Sequence, residues 1–190
     1  MQTCIFCDEW GSAAFAEAKE MALADQISTF KERIGKRYKA RKFLVYFQAY
    51  TNTFLKLSKL KENFDIAMKD PQVVGFVVGT RPDCLSKGVL DLWQEVNKTH
   101  KVFIEIGVQS FNESTLTFFR RGHSAAEAIR AIERIHEMTN LDLGLHLIFG
   151  APDETTDDAI EAALACNRLP ISNVKLHHLH VLKNTPLADE

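Results

Sequence analysis

The sequence predicts an α/β fold built on a parallel sheet. Helical and strand-like apolar periods alternate about five times along the chain, and the strand-like runs are apolar throughout, as in strands covered on both faces. An open sheet and a barrel both satisfy that pattern. Polar residues gather where the strand-like runs end, at 48–53, 79–83, Gln109 and Ser110, and 150–154. This favours the barrel, whose sites are built at the carboxyl ends of its strands.

The elements follow in order. Leu23, Ile27, Phe30 and Ile34 lie at helical spacing, and a basic turn leads from them into a strand over 43–48. Leu57, Leu60, Phe64 and Met68 predict the next helix, before a strand over 73–79. Leu85, Val89, Leu92 and Val96 predict a third helix, followed by a strand over 102–108. Ala125, Ala128, Ile132 and Ile135 precede a strand over 143–149, and a helix near Thr156 to Asn167 precedes a last strand over 174–182. No linker, low-complexity tract or internal repeat divides the 190 residues, so one domain spans 1–190.

Composition narrows the function classes. A hydrophobic fraction of 46% supports a buried core, and a formal net charge of -2 does not advertise a polyanionic partner. The one dense basic run, Lys36, Arg37, Lys39, Arg41 and Lys42, reads as solvated helix ends, with a polyanion contact as the alternative. The apolar run from Leu141 to Phe149 is too short to span a bilayer, and the first residues carry no signal-peptide pattern. A cytoplasmic protein with no membrane partner is expected. Four cysteines, Cys4, Cys7, Cys84 and Cys166, are too few and too unevenly spaced for a disulfide framework.

Cys4-Ile5-Phe6-Cys7 places two thiols where one metal can meet both. On its own the pair is ambiguous. Zinc needs a second pair of ligands, and Cys84 and Cys166 are isolated; a thioredoxin-type site needs a strand before the pair, and only three residues precede it. An iron-sulfur site stays open beside these. His178 and His180 share one face of the last predicted strand, with His146 expected near them inside the barrel. Polar lining of a cavity is the reading there, over a three-histidine metal site without a spacing signature. Arg81 and Asp83 also read as a turn-stabilising ion pair.

Seven segments in order carry a family resemblance: Cys4 to Cys7, Tyr46 to Thr53, Gly79 to Asp83, Glu105 to Ser110, Arg121 to His123, His146 to Pro152, and Leu182 to Leu187. Together they resemble the radical S-adenosylmethionine (SAM) superfamily, in particular the bacterial group related to the catalytic subunit of elongator and, further away, oxygen-independent coproporphyrinogen oxidase. The resemblance implies a (β/α)6-type barrel, a 4Fe-4S cluster and SAM. The cluster reductively cleaves SAM to a 5′-deoxyadenosyl radical that abstracts hydrogen from a substrate. It also implies an electron donor such as flavodoxin or ferredoxin, and a small-molecule or transfer RNA substrate.

By that resemblance Cys4 and Cys7 are two of the three cluster ligands, and Phe6 is the aromatic near the adenine. Gln48, Thr51, Asn52 and Thr53 stand where relatives bind the methionine amino group, without the usual carboxylate. Arg81, Asp83, Glu105, Gln109 and His146 are cofactor-binding candidates, and Gly79 stands where a ribose-binding carboxylate is found in distant relatives. The expected domain is a partial barrel that lacks its first strand and first cluster cysteine and continues beyond residue 190 in the full protein, so that this chain by itself is inactive. The rival expectation is a noncatalytic α/β remnant or interaction module whose CxxC binds zinc or nothing.

Overall fold

Each apolar run becomes a strand, and the five strands pair in chain order, all parallel, as a curled half-barrel. The computed structural model describes residues 4–7, 21–48 and 51–190, with the side chain of Asn52 excepted. The strands are β1 (Phe43–Phe47), β2 (Val73–Thr80), β3 (Lys101–Gln109), β4 (Asp142–Phe149) and β5 (Asn173–His178). Between them run α1 (Leu23–Tyr38), α2 (Leu57–Ala67), α3 (Lys87–Val96), α4 (Glu113–Phe118), α5 (Ala125–Met138) and α6 (Thr156–Asn167).

Local chemistry starts and stops these helices. Ser86 caps α3, while Ser124 with Glu127 and Thr155 with Asp158 form capping boxes on α5 and α6. Lys36 and Arg37 lie in the last turn of α1, where cations complement the carbonyl end, and Lys39 ends that helix in a left-handed conformation. The basic run is therefore an exposed helix end, as its composition suggested. Helix α4 is absent from the sequence reading because its six residues are too few to show a period. Its signal is the Asn112 side chain, which accepts from the Ser114 and Thr115 amides.

The last strand is shorter than expected. It stops at His178, not Leu182, because its partner β4 ends at Phe149 and Gly150 turns the chain at φ 97. The Leu179 amide makes the closing bond to the Phe149 carbonyl at 2.8 Å.

Strand alternation divides the sheet into two chemistries. Phe76 and Val78, Val102, Ile104 and Ile106, and Leu143, Leu145 and Leu147 face the helices and are buried with Phe64, Trp93 and Ile132. The residues between them form the inner face, where in-register rows run Gly79, Glu105, Gly144 and then Gly107, His146, Lys175. Glycines on this face make room for neighbouring groups: the Asn173 side chain lies over Gly144, the Gln109 and Arg121 side-chain ends lie over Gly107, and Gly75 lets strands approach. A Cβ on Gly75 would sit 2.4 Å from the Lys101 carbonyl oxygen, whereas one on Gly79 would meet nothing nearer than 3.5 Å.

This contrast gives a direct test in urea unfolding. Gly75→Ala is expected to lower the unfolding free energy by about 1–3 kcal/mol, because a backbone carbonyl must move. Gly79→Ala is expected to stay within about 0.5 kcal/mol. Equal costs at the two positions would refute the close-approach argument.

Candidate functional site

The Cys4 to Cys7 loop is pinned from two sides. The Ile5 amide donates to the Phe119 carbonyl at 3.2 Å, and the Leu187 amide donates to the Ile5 carbonyl at 3.0 Å. The Ile5 side chain is fully buried, and Phe6 meets the Phe119 ring edge-on with centroids 5.0 Å apart. The segment after α4 and the chain near its last turn thus hold the two cysteines in place.

Arg121 joins this loop to the sheet. Its Nη1 donates to Cys4 Sγ at 3.2 Å and its Nη2 to the Gly107 carbonyl at 2.5 Å. Arg120 and Gly122, both at positive φ, turn the backbone on either side of it. A Cβ on Gly107 would lie 2.5 Å from Gln109 Nε2 and 2.9 Å from Arg121 Nη2, so a side chain there would displace both side-chain ends. The Cys4 thiol is lowered to about 5: a hydrogen bond from Cys7 favours the thiolate most, burial opposes it, and the Arg121 and Arg81 charges add to the stabilisation.

A second arginine braces the first. Arg81 holds Asp83 through Nε and Nη2 at 2.8 and 2.9 Å, and its Nη2 also donates to the Arg121 carbonyl at 2.9 Å. Burial pushes the Asp83 carboxyl up, but Arg81 outweighs it and holds Asp83 below the usual range. The ion pair anticipated from sequence is therefore formed, and it supports the Arg121 turn. Arg121 Nε and His123 Nε2 are buried with no hydrogen-bond partner among the described residues, so both retain donor or acceptor capacity toward a bound group.

The remaining strand-end candidates fall at the same carboxyl rim. Gln48 follows β1, and Gln109 ends β3 at φ 73, a left-handed conformation unusual for glutamine. Thr53 is buried, with its hydroxyl 2.6 Å from that of Thr80, and Thr51 is partly exposed just before it. The side chain of Asn52 lies outside the described residues.

Glu105 and His146 lie deeper, on the inner face, and bind each other. Glu105 Oε2 accepts from Tyr46 Oη at 2.5 Å and from His146 Nε2 at 2.6 Å. Lys175 Nζ is 3.9 Å from the same oxygen and 3.4 Å from Tyr46 Oη. His177 Nε2 is 3.3 Å from His146 Nδ1. Burial pulls both histidines below their ordinary pKa, with Glu105 acting against it, and burial together with Glu105 pushes the Tyr46 phenol up.

This corrects the histidine grouping drawn from the sequence. His177, not His178 or His180, is the neighbour of His146, because the β4 to β5 register aligns Ile148 with His177. His178 and His180 stack on each other instead, with centroids 4.0 Å apart. Tyr46, Lys175, His177 and Arg121 were not singled out as site residues. Arg121 and Tyr46 stood in quoted motifs without a role, and Lys175 and His177 needed the strand register to connect them.

A half-barrel of parallel strands, with a cysteine sulfur held by arginine at its carboxyl rim, defines a partial α/β barrel protein with a cysteine-based site. Residues 1–166 match the family model of the radical SAM superfamily, and the chain belongs to that superfamily. It is 33% identical over 187 residues to the uncharacterized protein YtqA of Bacillus subtilis, covering 98% of this chain and 58% of that protein. To the uncharacterized protein MJ0486 of Methanocaldococcus jannaschii it is 37% identical over 190 residues, with the same two coverages. The chain therefore spans about three-fifths of the length of these curated relatives.

Among solved structures it is similar to coproporphyrinogen III oxidase (HemN) from Escherichia coli, with a TM-score of 0.66 at 16% identity over 95% of this chain and 42% of that one. It is also similar to SuiB of Streptococcus suis, with a TM-score of 0.63 at 11% identity over 96% of this chain and 38% of that one. At such identities the likeness is one of fold.

The family implies a 4Fe-4S cluster and SAM, and the donor set fits part of that requirement. Cys4 and Cys7 are adjacent, one already favoured as a thiolate, and they suit two irons of a cluster. Cys84 and Cys166 do not join them: among the described residues no three His, Cys, Asp or Glu side chains gather around one metal position. A zinc site is no better supplied. Arg121 Nε, on the guanidinium that holds Cys4, is buried without a hydrogen-bond partner among the described residues, and so has a donor left for an anionic group. Among the described residues no helix is long and apolar enough to cross a membrane.

Thiolate absorbance in the ultraviolet, followed against pH in the metal-free chain, tests the electrostatics. One thiol is expected to ionise near about 5 rather than its ordinary 9.0. Because the folded value is depressed, the associated stabilisation is complete above 9.0 and is lost as pH falls through about 5. Arg121→Ala is expected to move that ionisation upward, and an unchanged titration would remove Arg121 as a cause.

Proposed function

We propose that this chain is the catalytic core of a radical SAM enzyme in which Cys4 and Cys7 are two of the three thiolates that hold a 4Fe-4S cluster. The observation that carries this reading is the Arg121 bridge from the Cys4 sulfur to the Gly107 carbonyl, which places the cysteine loop at the carboxyl rim of the inner sheet. The bound cluster supplies the electron that splits SAM and yields the hydrogen-abstracting 5′-deoxyadenosyl radical.

In this proposal Cys84 and Cys166 stay apart from the site, and the third thiolate comes from a cysteine of the full-length protein outside these 190 residues. Superfamily membership and the two-thiolate loop favour this over a noncatalytic zinc-binding or vacant module. Phe6, on the same loop as the ligands, packs near the adenine. Arg121 keeps Cys4 deprotonated for metal and offers its Nε to the SAM carboxylate. Gln48, Thr51, Asn52 and Thr53 supply amide, hydroxyl and backbone groups for the methionine amino group. Arg81 and Asp83 fix the Arg121 turn beside the cofactor, and Gln109 reaches it from the end of β3.

Glu105 and His146 line the inner face just inside this position. The substrate, a small molecule or a transfer RNA nucleotide, enters from that face, and a flavodoxin or ferredoxin delivers electrons in the cytoplasm. The core continues in the full protein into structure that shapes the substrate site.

The experiment is anaerobic reconstitution of the full-length protein with iron and sulfide, followed by reduction with dithionite in the presence of SAM. Formation of 5′-deoxyadenosine is expected, and Cys7→Ala is expected to abolish both it and the brown iron-sulfur colour. Arg121→Ala should lower cleavage by about 10–100-fold, as for a residue that supports a metal ligand. Full cleavage in the Cys7→Ala protein would overturn the assignment.

A further inference from the structure

The inner-face cluster of Tyr46, Glu105, His146, Lys175 and His177 does more than line a cavity. A purely structural ion pair would bring Lys175 onto Glu105, yet those groups stand 3.9 Å apart and the Lys175 side chain is 41% exposed. The short contacts to the carboxylate come instead from a phenol and an imidazole. Gly79 and Gly144 flank Glu105 in register on the two neighbouring strands; the Asn173 side chain lies over Gly144, while on the other side a Cβ on Gly79 would meet nothing nearer than 3.5 Å.

The protons in this cluster are ordered by elementary chemistry. An ionised carboxylate only accepts, so both Tyr46 Oη and His146 Nε2 donate to Glu105 Oε2, at 2.5 and 2.6 Å. With its proton on Nε2, neutral His146 carries a lone pair on Nδ1 and accepts from His177 Nε2 at 3.3 Å. Neutral His177 is then left with an unprotonated Nδ1, on a partly exposed ring at the end of the chain of bonds.

We infer that these residues form a proton relay in which His177 Nδ1 accepts a proton from a substrate bearing a weakly acidic N–H or O–H group, and Glu105 stabilises the transferred charge. The substrate's N–H or O–H bond breaks and leaves its electron pair on the substrate, while an Nδ1–H bond forms on His177. His177 Nε2 passes its own proton to His146 Nδ1, which leaves an imidazolium 2.6 Å from the Glu105 carboxylate. Lys175, two residues before His177 on the same strand face, supplies the cation beside the new substrate anion. The groups facing His177 are His146 from β4, Glu105 from β3 and Lys175 from its own strand; the next ring, His178, stacks on His180. His177 is the catalytic residue, and Glu105, His146 and Tyr46 are positioning residues. The inference rests on the radical SAM reading only in taking the inner face as the place where substrate lies.

The test uses the metal-free full-length protein, so it is independent of SAM cleavage. In nitrogen-15 NMR of the histidine rings, both His146 and His177 are expected as Nε2-protonated tautomers. On acidification the first imidazolium of the pair is expected on His146, although His177 is the outer ring. Glu105→Gln should lower the His146 pKa by about 1–3, the range for loss of a close opposite charge, so that His177 titrates first. An Nδ1-protonated His146, or a His146 that stays neutral while His177 titrates in the unaltered chain, would overturn the relay.

The substrate class is probed with 4-nitrophenol, a weak O–H acid whose anion is coloured. Below its own pKa the chain should raise the phenolate fraction, and His177→Gln should abolish that rise. The absence of any rise with the unaltered chain refutes the proton-acceptor role, even where SAM cleavage succeeds. A relay confirmed by both readouts stands even where SAM cleavage fails.

Discussion

Everything at the carboxyl rim depends on one buried cation, the Arg121 guanidinium. A buried charge that is unpaired costs several kcal/mol, so it persists only where anionic or strongly polar partners surround it. Here those partners are the Cys4 sulfur and the Gly107 carbonyl. The dependence is mutual: the arginine lowers the cost of a buried thiolate, and the thiolate lowers the cost of the arginine. Arg81 completes the arrangement by holding the Arg121 carbonyl while its own charge is met by Asp83. A loop near the amino terminus, the end of β3 and the turn after α4 are thereby fixed to one another by charge as well as by packing.

The sheet serves two functions through period-two alternation. Its outward residues are large and apolar, and they bury a continuous core with the helices. Its inward residues include glycines, a carboxylate, a lysine, a phenol and two histidines, beside the apolar Val77, Phe103 and Ile148. Burying those polar groups without partners would be prohibitive, but each of the polar side chains named here bonds another from a different strand. Tyr46 and Lys175, 129 positions apart in sequence, meet across the inner face. The interior polar network thus adds to the ladder hydrogen bonds in defining how the sheet curls.

Much of this was legible in the sequence, and the unread parts have physical causes. Strands buried on both faces announce themselves as unbroken apolar runs, and the predicted range of α6 was met because Thr155 and Asp158 mark its start. The end of β5 was misplaced because Val181 and Leu182 continue the apolar pattern, while pairing is limited by where β4 stops. Periodicity within β5 separates His177 from His178 but does not say which of the two faces inward. That choice belongs to the register with β4, set by long-range pairing. Arg121 was legible as part of a motif, but its role depends on a cysteine loop 117 residues away.

Backbone strain marks the same rim. Gln109, Arg120, Gly122, Gly150 and Asp153 all have positive φ, and they lie at or just beyond the carboxyl ends of β3 and β4 or beside Arg121. Non-glycine residues in that region cost about 1–3 kcal/mol each where surrounding structure holds them there. Here a glutamine, an arginine and an aspartate adopt it, where glycine would serve at lower cost. The register shift between Gly107 and Gln109 gives one reason. It leaves the Gln109 amide close over Gly107 while the Gly107 carbonyl stays directed at Arg121. Strain at the rim and glycines on the inner face are thus complementary: the first lies where the chain turns beside Arg121, and the second lets the Gln109, Arg121 and Asn173 side chains close in on the sheet.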